Sequence, residues 1–307
     1  MENKCLEKTL KGIVNDNNLL KIGEVRFTME SNGKIIIGTT STAVVTILTP
    51  GVTFTNPGLE GETTQTVTSA GARLISVSGN CTVSVLNKYD LIRLDESSVV
   101  NTVSCDITQL EYCDKLTNIV FTGTNTRGCI DIIKNMTKLN QVKLTPQNYT
   151  ITGNLDNIPN APDLWGLYIT DSSLTGNISN LSKLPALTDL NLRSSNIGGN
   201  VSVFSSLTDI RDIILYGCDG GITGSISAFA NHSALRTLDL EGSLITVSGN
   251  LGEIVNTPAL KTLSLPSTVL YTAADASAAD TLLQGNGGTL QPGGHYFKGG
   301  TLVESYS

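Results

Sequence analysis

The sequence predicts a mainly β protein: a solenoid of short stacked repeats with a parallel sheet and second short strands, preceded by a small antiparallel β-domain. Three observations carry this. An LxxLxL pattern, with any aliphatic residue or Phe accepted, recurs seven times, starting at Leu116, Leu139, Leu164, Leu187, Ile210, Leu235 and Leu260, at spacings of 23 or 25 residues. A second pattern centred on Gly recurs as TRGCI from 126, ITGNL from 151, LTGNI from 174, IGGNV from 197, ITGSI from 222 and VSGNL from 247, and the next LxxLxL always starts 13 residues later. Ahead of both, residues 23–90 alternate β-branched with polar residues between turn signals.

Composition agrees with thin β-layers. Charged residues make up 15% of the 307, well below the usual quarter, so Ser, Thr, Asn and Gly supply the polarity. A net charge of −7 argues against a phosphate-binding surface, and nucleic acid is not expected as a partner. No apolar run approaches the roughly 20 residues of a membrane span, so membrane insertion is not expected. The opening MENKCLEKTLKG lacks the apolar core of a secretory signal, so synthesis and retention in a cytosol are expected. Six cysteines show neither a CxxC pair nor an even framework, so free thiols are expected rather than a zinc site or a disulfide scaffold.

In chain order, residues 1–22 mix charge with Leu6, Leu10, Ile13, Leu19 and Leu20, which suits a short helix or an arm that orders on a partner. Residues 23–90 then read as a β-sandwich: GEVRFTM, an Asn32-Gly33 hairpin turn, KIIIG, AVVTILTPGVTFT and ARLISVSGNCTVSVL. The repeats occupy residues 91–270. A faint first copy, VSCDI from 103 followed by Leu110 and Leu116, has Cys105 in place of the Gly. Seven residues into each 13-residue block stand Ile133, Ile158, Leu181, Phe204, Phe229 and Ile254, which should line one wall of the core. The ninth repeat position holds Thr124, Gln147, Ser172, Ser195, Cys218, Ser243 and Thr268, side chains suited to satisfying buried backbone groups. In 271–307, Thr272 and Asp275 are spaced as a capping box for a terminal helix that Gly285 can stop; a Gly-rich tail follows.

These copies resemble the leucine-rich repeat family, and the LTGNI-type segment is similar to the subtype with a second short strand found in plant receptor ectodomains. The resemblance covers about residues 91 to 290. It implies a curved solenoid whose LxxLxL strands form a parallel sheet on the concave face. A β-domain leading into such repeats resembles surface and virion-associated proteins of gut Bacteroidetes and their phages.

No catalytic constellation is present. The only histidines, His232 and His295, accompany neither a nucleophile nor a metal-ligand pattern, so no enzyme activity, metal or cofactor is expected. His232 stands at a repeat position filled elsewhere by Met136, Ala161, Leu184 and Leu207, which favours packing. Seven Asn-x-Ser/Thr sequons (Asn80, Asn135, Asn148, Asn177, Asn180, Asn200 and Asn231) are by-products of an Asn-, Ser- and Thr-rich repeat.

The x positions of LxxLxL point out of the sheet. At most copies they are polar, but the third copy has Trp165, the only tryptophan, with Gly166 and Tyr168. The candidate binding residues are therefore Trp165 and Tyr168 as anchor, with Lys143, Asn191, Arg211 and Ile214 beside them and Arg193 and Tyr216 just past the strands. The alternative is that the two rings only cover the inner surface. The expectation is a non-enzymatic binding or structural protein that meets a protein or glycan on the concave face, with an assembly partner held through residues 1–90 and a homo-oligomer left open. By resemblance it would be a phage virion appendage such as a head or tail fibre, the alternatives being a bacterial surface adhesin or an intracellular effector.

Overall fold

The computed structural model describes residues 24–29, 34–39, 43–55, 60–67, 72–86, 91–96, 103–146, 148–242, 244–254 and 257–286. The expected N-terminal arm, the Asn32-Gly33 turn, His295 and the Gly-rich tail lie outside the described residues. The chain divides into two compact units, Met1–Gly153 and Asn154–Ser307.

The first unit is built on two sheets. One contains β1 (Glu24–Met29), β3 (Ala43–Ile47), β4 (Thr64–Val67), β6 (Cys81–Leu86) and β8 (Val103–Cys105), antiparallel in the order β4-β3-β6-β1-β8. In the other, β2 (Lys34–Thr39) pairs antiparallel with β5 (Ala72–Ser76) and β7 (Leu91–Glu96), after which β9 (Asn118–Phe121) and β11 (Gln141–Leu144) follow in parallel. The hairpin expected between GEVRFTM and KIIIG is not formed: β1 pairs with β6 and β8, and β2 with β5 and β7. Both strands have an apolar face, and in a sandwich each finds partners in its own layer.

Alternation decides what the layers enclose. Val25, Phe27 and Met29 of β1, Ile35 and Ile37 of β2, Val83 and Val85 of β6 and Leu91 and Leu94 of β7 are buried, with Phe27 and Phe121 ring centroids 6.3 Å apart. β7 belongs to both patterns. One edge runs antiparallel to β2 and the other parallel to β9, with Leu94 opposite Ile119. Its sequence, LIRLDE, is a copy of LxxLxL whose third apolar position is Glu96.

Each repeat then follows one course: strand, turn, short outer strand, 3-10 turn. In the first unit β10 (Gly128–Cys129) pairs in parallel with β12 (Ile151–Asn154). In the second unit β13 (Gly166–Ile169), β15 (Asp189–Asn191), β17 (Asp212–Ile214), β19 (Thr237–Asp239) and β21 (Thr262–Ser264) form one parallel ladder. The outer strands β14 (Ser173–Asn177), β16 (Asn196–Asn200), β18 (Ile222–Ser225), β20 (Ile245–Asn250) and β22 (Val269–Leu270) form another. The 3-10 turns Ile178–Lys183, Val201–Ser206 and Ile226–Phe229 close the core, where Leu181, Phe204 and Phe229 are buried and the last two stack at 5.5 Å.

Four of the 3-10 turns start from an Asn that follows the pattern's Gly. Asn154, Asn177, Asn200 and Asn250 each accept, through the side-chain oxygen, the backbone N–H two residues on, at 2.8 to 2.9 Å. The sequons at Asn177 and Asn200 are thus capping sites, with the Ser179 and Ser202 amides as donors. The ninth-position ladder also works on the backbone: Ser195 Oγ donates to Leu192 O at 2.7 Å, and Cys218 Sγ donates to the same carbonyl at 3.3 Å. Gln147 and Ser243 lie outside the described residues.

The final element is α1 (Ala273–Gly285), capped by mutual bonds between Thr272 and Asp275. It buries Ala279 and Leu283, and Asn286 Nδ2 donates to Pro258 O at 2.8 Å and Leu260 O at 2.9 Å, satisfying the last repeat's carbonyls.

Candidate functional site

The second unit's inner ladder sorts its side chains by position. Leu167, Leu190, Ile213, Leu238 and Leu263 are buried, while the side chains on either side of them, Gly166 having none, point away from the core. Strand register places Tyr168, Asn191, Ile214, Asp239 and Ser264 in one row and Gly166, Asp189, Asp212, Thr237 and Thr262 in the next. A further row stands at the strand entrances, where backbone bonds link Trp165 to Thr188, Thr188 to Arg211, Arg211 to Arg236 and Arg236 to Lys261 at 2.7 to 2.9 Å.

Seven of the eight residues expected at the site lie in this unit. Trp165 is 39% exposed, and its carbonyl accepts the Thr188 and Asp189 amides. Tyr168 is half-buried, and its phenol is pushed upward, first by burial and then by the carboxylate of Asp189, to which it is hydrogen-bonded, and that of Asp212. Asn191 is turned toward its own chain, accepting the Arg193 amide at 3.2 Å. Arg193 is engaged with Asp171 at 3.0 Å, so its charge is answered locally. Arg211 is exposed, Ile214 half-buried and Tyr216 45% exposed. Lys143 is half-buried on β11 in the first unit, opposite Val120 of β9.

The expected set missed residues that the register adds. Arg236 and Lys261 continue the row of Arg211, and Asp239 and Ser264 continue that of Tyr168. The signal was available, since each occupies the second or fifth position of its LxxLxL copy. Burial raises the Asp239 carboxyl above its ordinary range, although it accepts the Glu241 amide at 3.3 Å.

The remaining candidates for chemistry are structural. His232 is buried, 6.1 Å from the Phe229 ring, with Nε2 2.8 Å from Phe204 O. Cys81, Cys105, Cys113 and Cys218 are buried thiols outside any disulfide; burial pushes the thiols of Cys81 and Cys218 up to about 11, and that of Cys105 upward too. Cys129 is disulfide-bonded, which corrects the expectation of free thiols there; spacing does not reveal connectivity. Among the described residues no group of three or more His, Cys, Asp or Glu is arranged to hold a metal, and no helix is long and apolar enough to cross a membrane.

Stacked strand, turn and 3-10 coils built on LxxLxL define this chain as having the leucine-rich-repeat fold. No protein-family model matches the sequence, and comparison with curated proteins gives no match. Among solved structures, a plant peptide hormone receptor, RGFR1 in complex with RGF2, is 22% identical, with a TM-score of 0.41 over 55% of this chain and 31% of the receptor. The Arabidopsis receptor kinase HAESA, in complex with the peptide hormone IDA and a co-receptor, is 17% identical, with a TM-score of 0.46 over 62% of this chain and 33% of that one. A leucine-rich-repeat protein of Leptospira interrogans is 14% identical, with a TM-score of 0.38 over 56% of this chain and 48% of its own. The chain thus spans about a third to a half of these proteins.

Proposed function

We propose that the chain is a non-catalytic binding protein that holds a protein ligand on the inner ladder of its second unit. One observation supports this most: a partly exposed Trp165 and a half-buried Tyr168 stand on a face whose other side chains, Ile214 apart, are polar, outside the buried core. Exposed rings offer large contact area at low entropy cost and are frequent energetic anchors of interfaces. Around them Thr188, Asp189, Asn191 and Arg211 supply donors and acceptors for orientation.

A displayed random peptide library tests the reading. The wild-type protein should enrich a family of sequences that the Trp165→Ala, Tyr168→Ala variant, still folded, does not. Absence of enrichment, or the same family from both proteins, would overturn it.

For the setting we propose a phage virion appendage, a head or tail fibre, as the resemblance of a β-domain joined to repeats suggests. A low-charge surface rich in Ser, Thr and Asn suits such a part. Mass spectrometry of purified particles should find the protein in stoichiometric amount, and its recovery only from the host envelope would rule the setting out.

A further inference from the structure

Resting on the reading of this face as a protein-binding surface, we propose that its ligand is an extended peptide segment with carboxylates at alternate positions, seated along the row of Arg211, Arg236 and Lys261. The three stand at one position of consecutive repeats, and the Arg236 and Lys261 amides donate to the preceding member's carbonyl at 2.7 and 2.8 Å. All three side chains are exposed, and among the described residues none has an ion pair. Four other arginines differ: Arg26 pairs with Glu24, Arg93 with Asp95, Arg127 with Asp106 and Arg193 with Asp171. Among the described arginines with an ion pair, each faces a carboxylate on its own or a neighbouring strand or turn, whereas Arg211 and Arg236 stack with Lys261 without one.

Strands pair about 4.8 Å apart, so the row places three positive charges within roughly 10 Å along the ladder. Like charges on adjoining strands oppose folding, and an anion laid across them removes that penalty through charge-assisted hydrogen bonds. The neighbouring row selects the kind of anion. Beside Arg211 it carries Asp212, with Asp189 one strand further on and Thr237 and Thr262 beside Arg236 and Lys261, so a polymer charged on every unit, such as an acidic glycan, sets negative charge against the two carboxylates. An extended peptide turns alternate side chains to opposite sides, with same-side neighbours roughly 6.7 Å apart. Carboxylates at every second residue come within reach of the long Arg and Lys side chains, whose flexibility spans the difference between the two spacings, while the intervening residues face Asp212 and its neighbours as neutral or basic groups. Trp165, at the end of the same row, receives an apolar side chain beyond the acidic stretch.

Fluorescence anisotropy with the full chain and a labelled peptide of alternating Glu and Ser tests this. Binding should weaken as salt rises and fall at least about tenfold in the Arg211→Gln, Arg236→Gln variant. The charge-reversed Arg211→Glu, Arg236→Glu protein should instead bind a Lys-Ser peptide, a gain that loss of folding cannot imitate. No binding by wild type, equal binding by the Gln variant, or tighter binding of polygalacturonate would overturn the proposal. If the peptide library still enriches a Trp165-dependent family without acidic residues, the binding face stands and only this ligand class falls.

Discussion

The side-chain oxygen of Asn177 occupies the place where a side chain on Gly199 would begin: a Cβ on Gly199 would lie 2.3 Å from Asn177 Oδ1. The same contact joins Asn154 to Gly176, at 2.2 Å. Asn177 meanwhile caps its own 3-10 turn through the Ser179 amide, and Gly199 sits at φ +124°. The capping residue of one repeat therefore requires glycine in the next, and the two halves of the G-N motif serve neighbouring coils.

Gly199→Ala should lose more than the about 1 to 3 kcal/mol that an unfavourable backbone region costs alone, because the capping bond must also shift. Gly221→Ala is the control, with φ +83° and open space around the site, and should lose only about 1 to 2 kcal/mol. Urea unfolding compares them; equal losses would show that Asn177 does not hold its place against the new methyl.

Leu190→Ala should cost about 2 to 5 kcal/mol as a truncation of a fully buried side chain, with Thr188→Ala costing under about 1 kcal/mol. A small effect at Leu190 would mean that the ladder repacks around a missing side chain.

His232→Leu should leave stability within about 1 kcal/mol of wild type. Nδ1 is buried without a partner among the described residues, and the Phe204 carbonyl that Nε2 meets also accepts the Leu207 amide at 2.9 Å. Leu184 and Leu207 already fill this position in earlier coils. His232→Ala, which leaves a cavity, should cost more than about 2 kcal/mol. Strong destabilisation by Leu would give the imidazole a role that packing does not explain.

Much of the molecule was legible because the repeat imposes one environment on each position. Leu164, Leu187 and Ile210 share a fate, and a single reading of the pattern covers all of them. The pattern also placed the capping helix, whose Thr272 and Asp275 act on each other locally. What escaped reading was long-range. The choice of β6 rather than β2 as the neighbour of β1 depends on which layer each apolar face covers, and alternation in one strand does not carry that information. Cys105 could be seen to break the Gly pattern, yet the reason lies in space: its strand, β8, pairs with β1 and needs no positive φ, whereas the Gly128 that follows packs on Ile107 of the coil before it. At the face, Trp165 marks the third to fifth copies, while the row of Arg211 continues through Arg236 and Lys261, whose polar side chains look alike in every copy of the pattern.

Asp239→Asn should raise stability at neutral pH. Burial lifts the folded-state pKa of Asp239 above its unfolded value, so the ionised form is disfavoured by folding and its penalty is relieved as pH falls through the folded pKa. The asparagine keeps the acceptor for the Glu241 amide without the charge. Thermal unfolding from pH 7 down to pH 3 should show the gap between variant and wild type closing as pH falls; a variant less stable than wild type at pH 7 would refute the assignment.

The two-sided pairing of β7 answers a problem of frame. In a stack of near-identical coils, sliding the chain by one whole repeat restores almost every LxxLxL contact, so the coils alone define their alignment only up to a translation. β7 removes that degeneracy. Its antiparallel edge is tied to β2, inside a sandwich that repeats nowhere, and its parallel edge offers Leu94 to Ile119. Counting of the coils in the first unit thus starts from a strand with a single address, and β9 and β11 take their places by reference to it.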